Sequence, residues 1–146
     1  MENVETIKRE VLAKYLHEDN EVILDILIED IETKDNELFV VGHNEYLVLT
    51  DEEADMKAAD YIRETAWAFN KSFLDCHSKS ISELDEKTFS IIQDSCESAN
   101  KAILAMIDDV EHFIEDAILA DGRGHFLGNY DGKENEQDNY YIYRVG

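Results

Sequence analysis

Glu37-Leu-Phe-Val-Val, then Gly42-His43-Asn44, then Glu45-Tyr-Leu-Val-Leu49 set two short runs of β-branched and aromatic residues on either side of a turn sequence. Gly and Asn tolerate the backbone angles of a tight turn, so the segment 37–49 reads as an antiparallel hairpin. Thr50 follows directly, with Glu53 three positions on, which is the spacing of a capping box. Asp51, Glu52 and Glu53 occupy the first turn of the helix so started, where the helix dipole favours carboxylates by about 0.3–1 kcal/mol each. A hairpin that passes into a capped helix with no linker predicts an α+β chain in which helices cover a small antiparallel sheet.

The remaining pattern fills in around this core. Val4, Ile7, Val11, Leu12, Tyr15 and Leu16 recur at helical spacing behind Asn3, a good N-cap. Residues 22–31 carry Leu24, Leu27, Ile28 and Ile31 on one helical face and are read as helix, although their Ile and Val content also suits a strand. The helix begun at Asp51 is expected to reach about Leu74. A second long helix is expected from Phe89 to Leu119, with a break near Ser95–Ser98 and a glycine stop at Gly122. Tyr140–Val145 reads as a last strand that pairs with the hairpin, giving three antiparallel strands in a single domain over 1–146. Proline is absent from all 146 positions, which fits a helix-rich chain without rigid linkers.

Charge limits what such a chain can bind. Asp and Glu number 35 against 13 Lys and Arg, a formal net charge of −22. A protein that neutralises phosphates needs the opposite balance, so direct nucleic-acid binding and attachment to an anionic membrane are not expected. The excess is uneven: residues 80–120 hold ten Asp and Glu against Lys87 and Lys101, while 37–50 carry only Glu37 and Glu45. On the long helix, Asp108, Glu111 and Glu115 fall on one polar face, with Asp109 and Asp116 on its flank. Asp51, Glu52 and Asp55 make a second acidic patch. Carboxylates held on a rigid helix can occupy a groove built for DNA phosphates, or can simply keep the chain soluble.

Few strings suggest chemistry. Asp121-Gly-Arg-Gly-His125 puts a carboxylate, a guanidinium and an imidazole close together, from which Asp121, Arg123 and His125 could form a small-ligand or nucleotide site. The structural alternative is that Gly122 stops the helix, Arg123 pairs with a carboxylate and His125 packs. Cys76-His77 and Cys96 lie too far apart for a zinc knuckle, and the two cysteines are read as free thiols packed as small core residues. Lys133 and Glu134 break the ligand order of a calcium loop in 131–138, which reads as an exposed loop. No metal site and no cofactor are expected. There is no transmembrane run, and Met1–Glu5 lacks the basic and apolar regions of a secretory leader, so a cytoplasmic location is expected.

Three strings read together resemble a family of small acidic proteins encoded by bacteriophages and prophages: Glu45-Tyr-Leu-Val-Leu-Thr-Asp-Glu-Glu-Ala-Asp55, Trp67-Ala-Phe69, and Asp121-Gly-Arg-Gly-His-Phe-Leu-Gly-Asn-Tyr-Asp-Gly132 with Tyr140-Tyr-Ile-Tyr-Arg144. The resemblance covers about 37–146, leaving 1–36 as a helical segment particular to this chain. It implies a role in host takeover or counter-defence and brings no reaction or cofactor. With the charge, it favours a non-enzymatic inhibitor, of the anti-CRISPR or anti-restriction kind, that fits a basic groove on a CRISPR effector or restriction enzyme by imitating DNA. Asp108, Asp109, Glu111, Glu115, Asp116, Asp51, Glu52 and Asp55 are the residues expected to make that contact. A nucleotide-binding protein or enzyme using the Asp121–His125 loop, and a regulatory or structural phage protein acting as a homo-oligomer, are the alternatives.

Overall fold

In the computed structural model, residues 3–19 and 31–146 are described. Among them the chain forms helix α1 (Val4–Asp19), strands β1 (Glu32–Lys34), β2 (Leu38–Val41) and β3 (Asn44–Leu49), and helix α2 (Asp51–Glu64). Short helices α3 (Lys71–Asp75), α4 (Lys79–Ser82), α5 (Glu86–Gln93) and α6 (Asn100–Met106) follow. Helix α7 (Val110–Asp121), helix α8 (Arg123–Leu127) and strands β4 (Asn135–Gln137) and β5 (Tyr140–Arg144) complete it. The residues group into two compact units, one comprising Met1–Lys57 with Arg123–Gly146 and the other Ala58–Gly122. The helix expected within 22–31 lies outside the described residues, apart from Ile31, which is buried.

The first unit is built on an antiparallel sheet of five strands in the order β1-β2-β3-β5-β4, where three were expected. The expected pairing is present: β2 and β3 form the hairpin around Gly42-His43, and β5 pairs with β3, with Tyr46 opposite Arg144 and Leu49 opposite Tyr141. The two additional strands are edges created by Asp-Asn turns. Asp35 and Asn36 have φ of 59° and 57°, and Asp138 and Asn139 have 52° and 68°, the left-handed conformations that these short polar side chains tolerate. Each turn folds a three-residue polar strand, Glu32–Lys34 or Asn135–Gln137, back onto an apolar neighbour. The apolar pattern gives these strands no signal of their own, because they pair at the edge and bury little.

Helix α1 covers the sheet. Val11, Leu12 and Ala13 join Ile31, Phe39, Tyr46, Val48 and Ile142 in one cluster. Full burial of a side chain such as Leu12, Phe39 or Ile142 contributes about 1.5–3 kcal/mol relative to exposure. Asn3 caps α1 by accepting from the Glu5 N–H at 3.0 Å. Lys8, on the same helix, is fully buried, and its Nζ reaches Asn36 O at 3.0 Å and Glu53 Oε1 at 2.8 Å.

The second unit is helical, and both expected long helices, the one begun at Asp51 in the first unit and the one from Phe89, are divided. The capping box is formed, with the Thr50 N–H donating to Glu53 Oε1 at 2.9 Å and the Glu53 N–H to Thr50 Oγ1 at 3.2 Å. Ala54, Ala58 and Ile62, at helical spacing, are fully buried, whereas Tyr61 is 42% exposed. Helix α2 nevertheless ends at Glu64, and a 3-10 turn (Ala66–Ala68) and α3 follow it. Side chains distant in sequence satisfy the backbone groups that the break frees. Asn100 donates from Nδ2 to Arg63 O at 2.6 Å and accepts the Trp67 N–H at 3.1 Å, while Gln93 Nε2 donates to Trp67 O and Phe69 O.

The expected Phe89–Leu119 helix becomes α5, a 3-10 turn (Cys96–Ala99), α6 and α7. The first break is near the expected place, at Cys96, whose φ is 52°. The second lies at Ile107–Asp109, where Asp109 caps α7 by accepting the His112 N–H at 3.2 Å and Ser78 donates its hydroxyl to Met106 O at 2.6 Å. Asp prefers a cap to a helix interior because its side chain competes for backbone N–H groups. Asp108 therefore precedes α7 and does not share a helical face with Glu111 and Glu115. The two cysteines are exposed free thiols, not core residues.

Candidate functional site

Two arrangements of polar side chains stand out, one in each unit. In the sheet unit Arg123 is the centre. Gly122, with φ of 83°, stops α7, and α8 begins with Arg123. Gly124 allows the close approach that follows: a Cβ there would lie 2.7 Å from Gly132 O and 2.9 Å from Glu134 N, so only glycine lets α8 lie against 132–134.

The Arg123 side chain is 10% exposed and its nitrogens point at carboxylates. Nε donates to Glu134 Oε1 at 2.8 Å, and Nη1 donates to Asp51 Oδ1 at 2.8 Å, Asp51 O at 3.0 Å and Asp55 Oδ1 at 3.0 Å. The guanidinium also lies over the Tyr141 ring, 4.6 Å from its centre. Burial opposes the charge, but hydrogen bonds to Glu134 and Asp51 more than offset it, so the pKa of Arg123 is raised. Burial pushes the Tyr143 phenol up as well, reinforced by the hydrogen bond that Tyr143 donates to Glu134.

This geometry locates the alternative ligand loop. Arg123 is engaged by Asp51, Asp55 and Glu134, which leaves Nε and Nη1 without a direction toward an added anion. Asp121 is exposed at the end of α7, and His125 is exposed with its ring edge-on to Phe126 at 5.0 Å. Two clefts in the sheet unit lie elsewhere. One of about 380 Å³ is lined by Ile7, Val11, Lys14, Asp138 and Tyr140, and one of about 190 Å³ by Tyr15, Tyr46, Asp131 and Arg144. Neither is lined by Asp121, Arg123 or His125.

The acidic residues divide in the same way. Asp51 and Asp55 are 70% and 61% exposed while each gives an oxygen to Arg123, and Glu52 is exposed beside them. In the helical unit, Asp108, Asp109, Glu111 and Glu115 are all exposed. Three of them are oriented by local partners. Asp108 Oδ2 accepts the Lys79 N–H at 3.1 Å, Asp109 caps α7, and Glu111 pairs with Arg63 Nη2 at 2.7 Å.

Asp116 faces elsewhere. Its Oδ2 lies 3.0 Å from His77 Nε2 and 3.5 Å from His112 Nε2. The sequence marks Asp116 only as the flank of an acidic face, and nothing in it joins His112, or His77 35 positions earlier, to that carboxylate.

The fold and these sites define a class: an acidic α+β protein in which an antiparallel sheet and a helical unit each fix a set of carboxylates. Comparison with protein-family models, with curated proteins and with solved structures finds no match in any of the three. Among the described residues, no helix is long and apolar enough to cross a membrane.

Proposed function

We propose that this protein is a non-enzymatic acidic inhibitor that binds a basic groove on a host defence or nucleic-acid-processing protein, such as a CRISPR effector or restriction enzyme, by presenting carboxylates where the target expects phosphates. The observation that carries this reading is the run Asp108, Asp109, Glu111 and Glu115, four exposed carboxylates spanning the loop before α7 and its first two turns, three of them held by hydrogen bonds or an ion pair. Pre-oriented charges lose less conformational freedom on binding than free ones and steer encounter with an oppositely charged surface. Asp51, Glu52 and Asp55 form a separate patch, of which Glu52 is the residue not turned to Arg123. The phage resemblance supplies the biological setting.

The test is binding of the full chain to a panel of host restriction enzymes and CRISPR effectors, with and without competing duplex DNA, at two salt concentrations. Competition by DNA and a steep loss of affinity with salt support the reading. A complex indifferent to both overturns it. Within a complex, the triple change Asp108→Asn, Glu111→Gln, Glu115→Gln is expected to weaken binding at least tenfold, chiefly through the association rate.

A further inference from the structure

The geometry points to a binding site for a divalent transition-metal ion formed by His77, His112 and Asp116 in the helical unit. One ligand atom from each of the three falls within 4.8 Å of the others. Both imidazoles present Nε2 to the same carboxylate oxygen, at 3.0 and 3.5 Å. A tetrahedral centre with bonds of about 2.0–2.1 Å to nitrogen and oxygen sets neighbouring ligand atoms about 3.3 Å apart, so the two separations from Asp116 Oδ2 bracket the distance required.

The scaffold holds the set. His112 and Asp116 are one turn apart on α7 and share a face. His77 comes from the segment after α3, and its backbone is pinned on both sides: its N–H donates to Leu74 O at 2.9 Å and its carbonyl accepts the Asp108 N–H at 2.9 Å. The buried ring packs against Phe73 at 5.3 Å and Phe113 at 5.6 Å, which confines it to the orientation that faces Asp116. His112 is 60% exposed, so it can adjust by a few tenths of an ångström while His77 stays fixed.

Two imidazoles and one carboxylate select borderline metals, zinc above all, over magnesium or calcium, which require oxygen ligands. Solvent reaches His112 and Asp116, so a water or a side chain of a bound partner would take the remaining position. The ion would tie α7 to the α3–α4 connection. The exposed carboxylates of Asp108, Asp109, Glu111 and Glu115 raise the local cation concentration without being ligands. The site rests on this geometry alone and is independent of the inhibitor reading.

The probe is Zn²⁺, titrated calorimetrically into the full chain with Cys76→Ser and Cys96→Ser in place to remove the exposed thiols, in excess Mg²⁺ to occupy surface carboxylates. One equivalent is expected to bind, with a rise of several degrees in the thermal midpoint. His112→Gln, at an exposed position, is expected to leave the metal-free midpoint unchanged, to weaken binding at least tenfold and to abolish the rise. Asp116→Asn is expected to weaken binding similarly. Absence of a saturable site overturns the proposal. So does a site that keeps its affinity in both variants, because the ion would then sit on the acidic surface.

Discussion

Glu134 Oε1 accepts both the Nε–H of Arg123, at 2.8 Å, and the hydroxyl of buried Tyr143. One carboxylate thus joins α8 to β5, and through Arg123 both are joined to Asp51 and Asp55 at the start of α2. Arg123, from the string that looks most like chemistry in the sequence, is held in a structural clamp in the fold.

Removing the clamp is expected to be expensive. Arg123→Ala leaves Glu134 and Tyr143 without their shared cation and is expected to destabilise the protein by about 2–3 kcal/mol, the range for hydrogen bonds to charged groups at a largely buried position. Arg123→Lys is expected to recover less than half of this, because an ammonium cannot reproduce the fork that reaches Glu134 and Asp51 together. Urea denaturation of the two variants against the parent measures both effects. A stability loss below about 0.5 kcal/mol for the alanine variant would refute the clamp.

Glu53 links the capping box to the buried Lys8. Burial works to raise its carboxyl pKa, but hydrogen bonds from Lys8 and the Thr50 N–H prevail and hold it below the ordinary 4.5. Because the folded value is the lower one, ionised Glu53 stabilises the fold. Its contribution is fully present above pH 4.5 and is lost as pH falls through the depressed folded value. The stability difference between the parent and Glu53→Gln is therefore expected to be constant near neutral pH and to shrink as pH is lowered below 4.5. Denaturation curves of both proteins across that range test the sign.

At Gly124 an added Cβ would lie 2.7 Å from Gly132 O and 2.8 Å from the Lys133 carbonyl carbon, and neither backbone atom can rotate away. Gly124→Ala is expected to cost about 1–3 kcal/mol through overpacking. Thermal unfolding of the variant should show a lowered midpoint, and an unchanged midpoint would mean that 132–134 does not lie against α8.

Asn100 serves the break after α2 by donating to Arg63 O and accepting from the Trp67 N–H. Asn100→Ala leaves both backbone groups unpaired and is expected to destabilise by about 1–3 kcal/mol. Asn100→Asp, which keeps the acceptor and loses the donor, should fall between the parent and the alanine variant. Equal stability of all three would contradict the role given to the amide.

Legibility in the sequence followed the range of the interaction. The hairpin, the capping box and the buried positions Val11 and Leu12 were readable because each depends on neighbours within about one turn or one strand pair. The Asp-Asn turns at 35–36 and 138–139 were a readable signal that the search for apolar strands passed over, since the strands they create are polar edges. The burial of Lys8 was not readable, because a lysine on an apolar face is stable there only when Asn36 O and Glu53 are brought to it from elsewhere in the chain.

By itself, then, the sequence determined the α+β class, the antiparallel hairpin, the helix starts at Val4 and Asp51 and a strongly negative surface, all consequences of local periodicity, capping and composition. Tertiary structure decided that α2 stops at Glu64 and that a second break falls at Ile107–Asp109, what Arg123 binds and that His77 meets His112 and Asp116. Those outcomes depend on amides, carboxylates and imidazoles tens of residues apart, whose hydrogen bonds can offset a broken helix or a buried charge only once packing has placed them within reach.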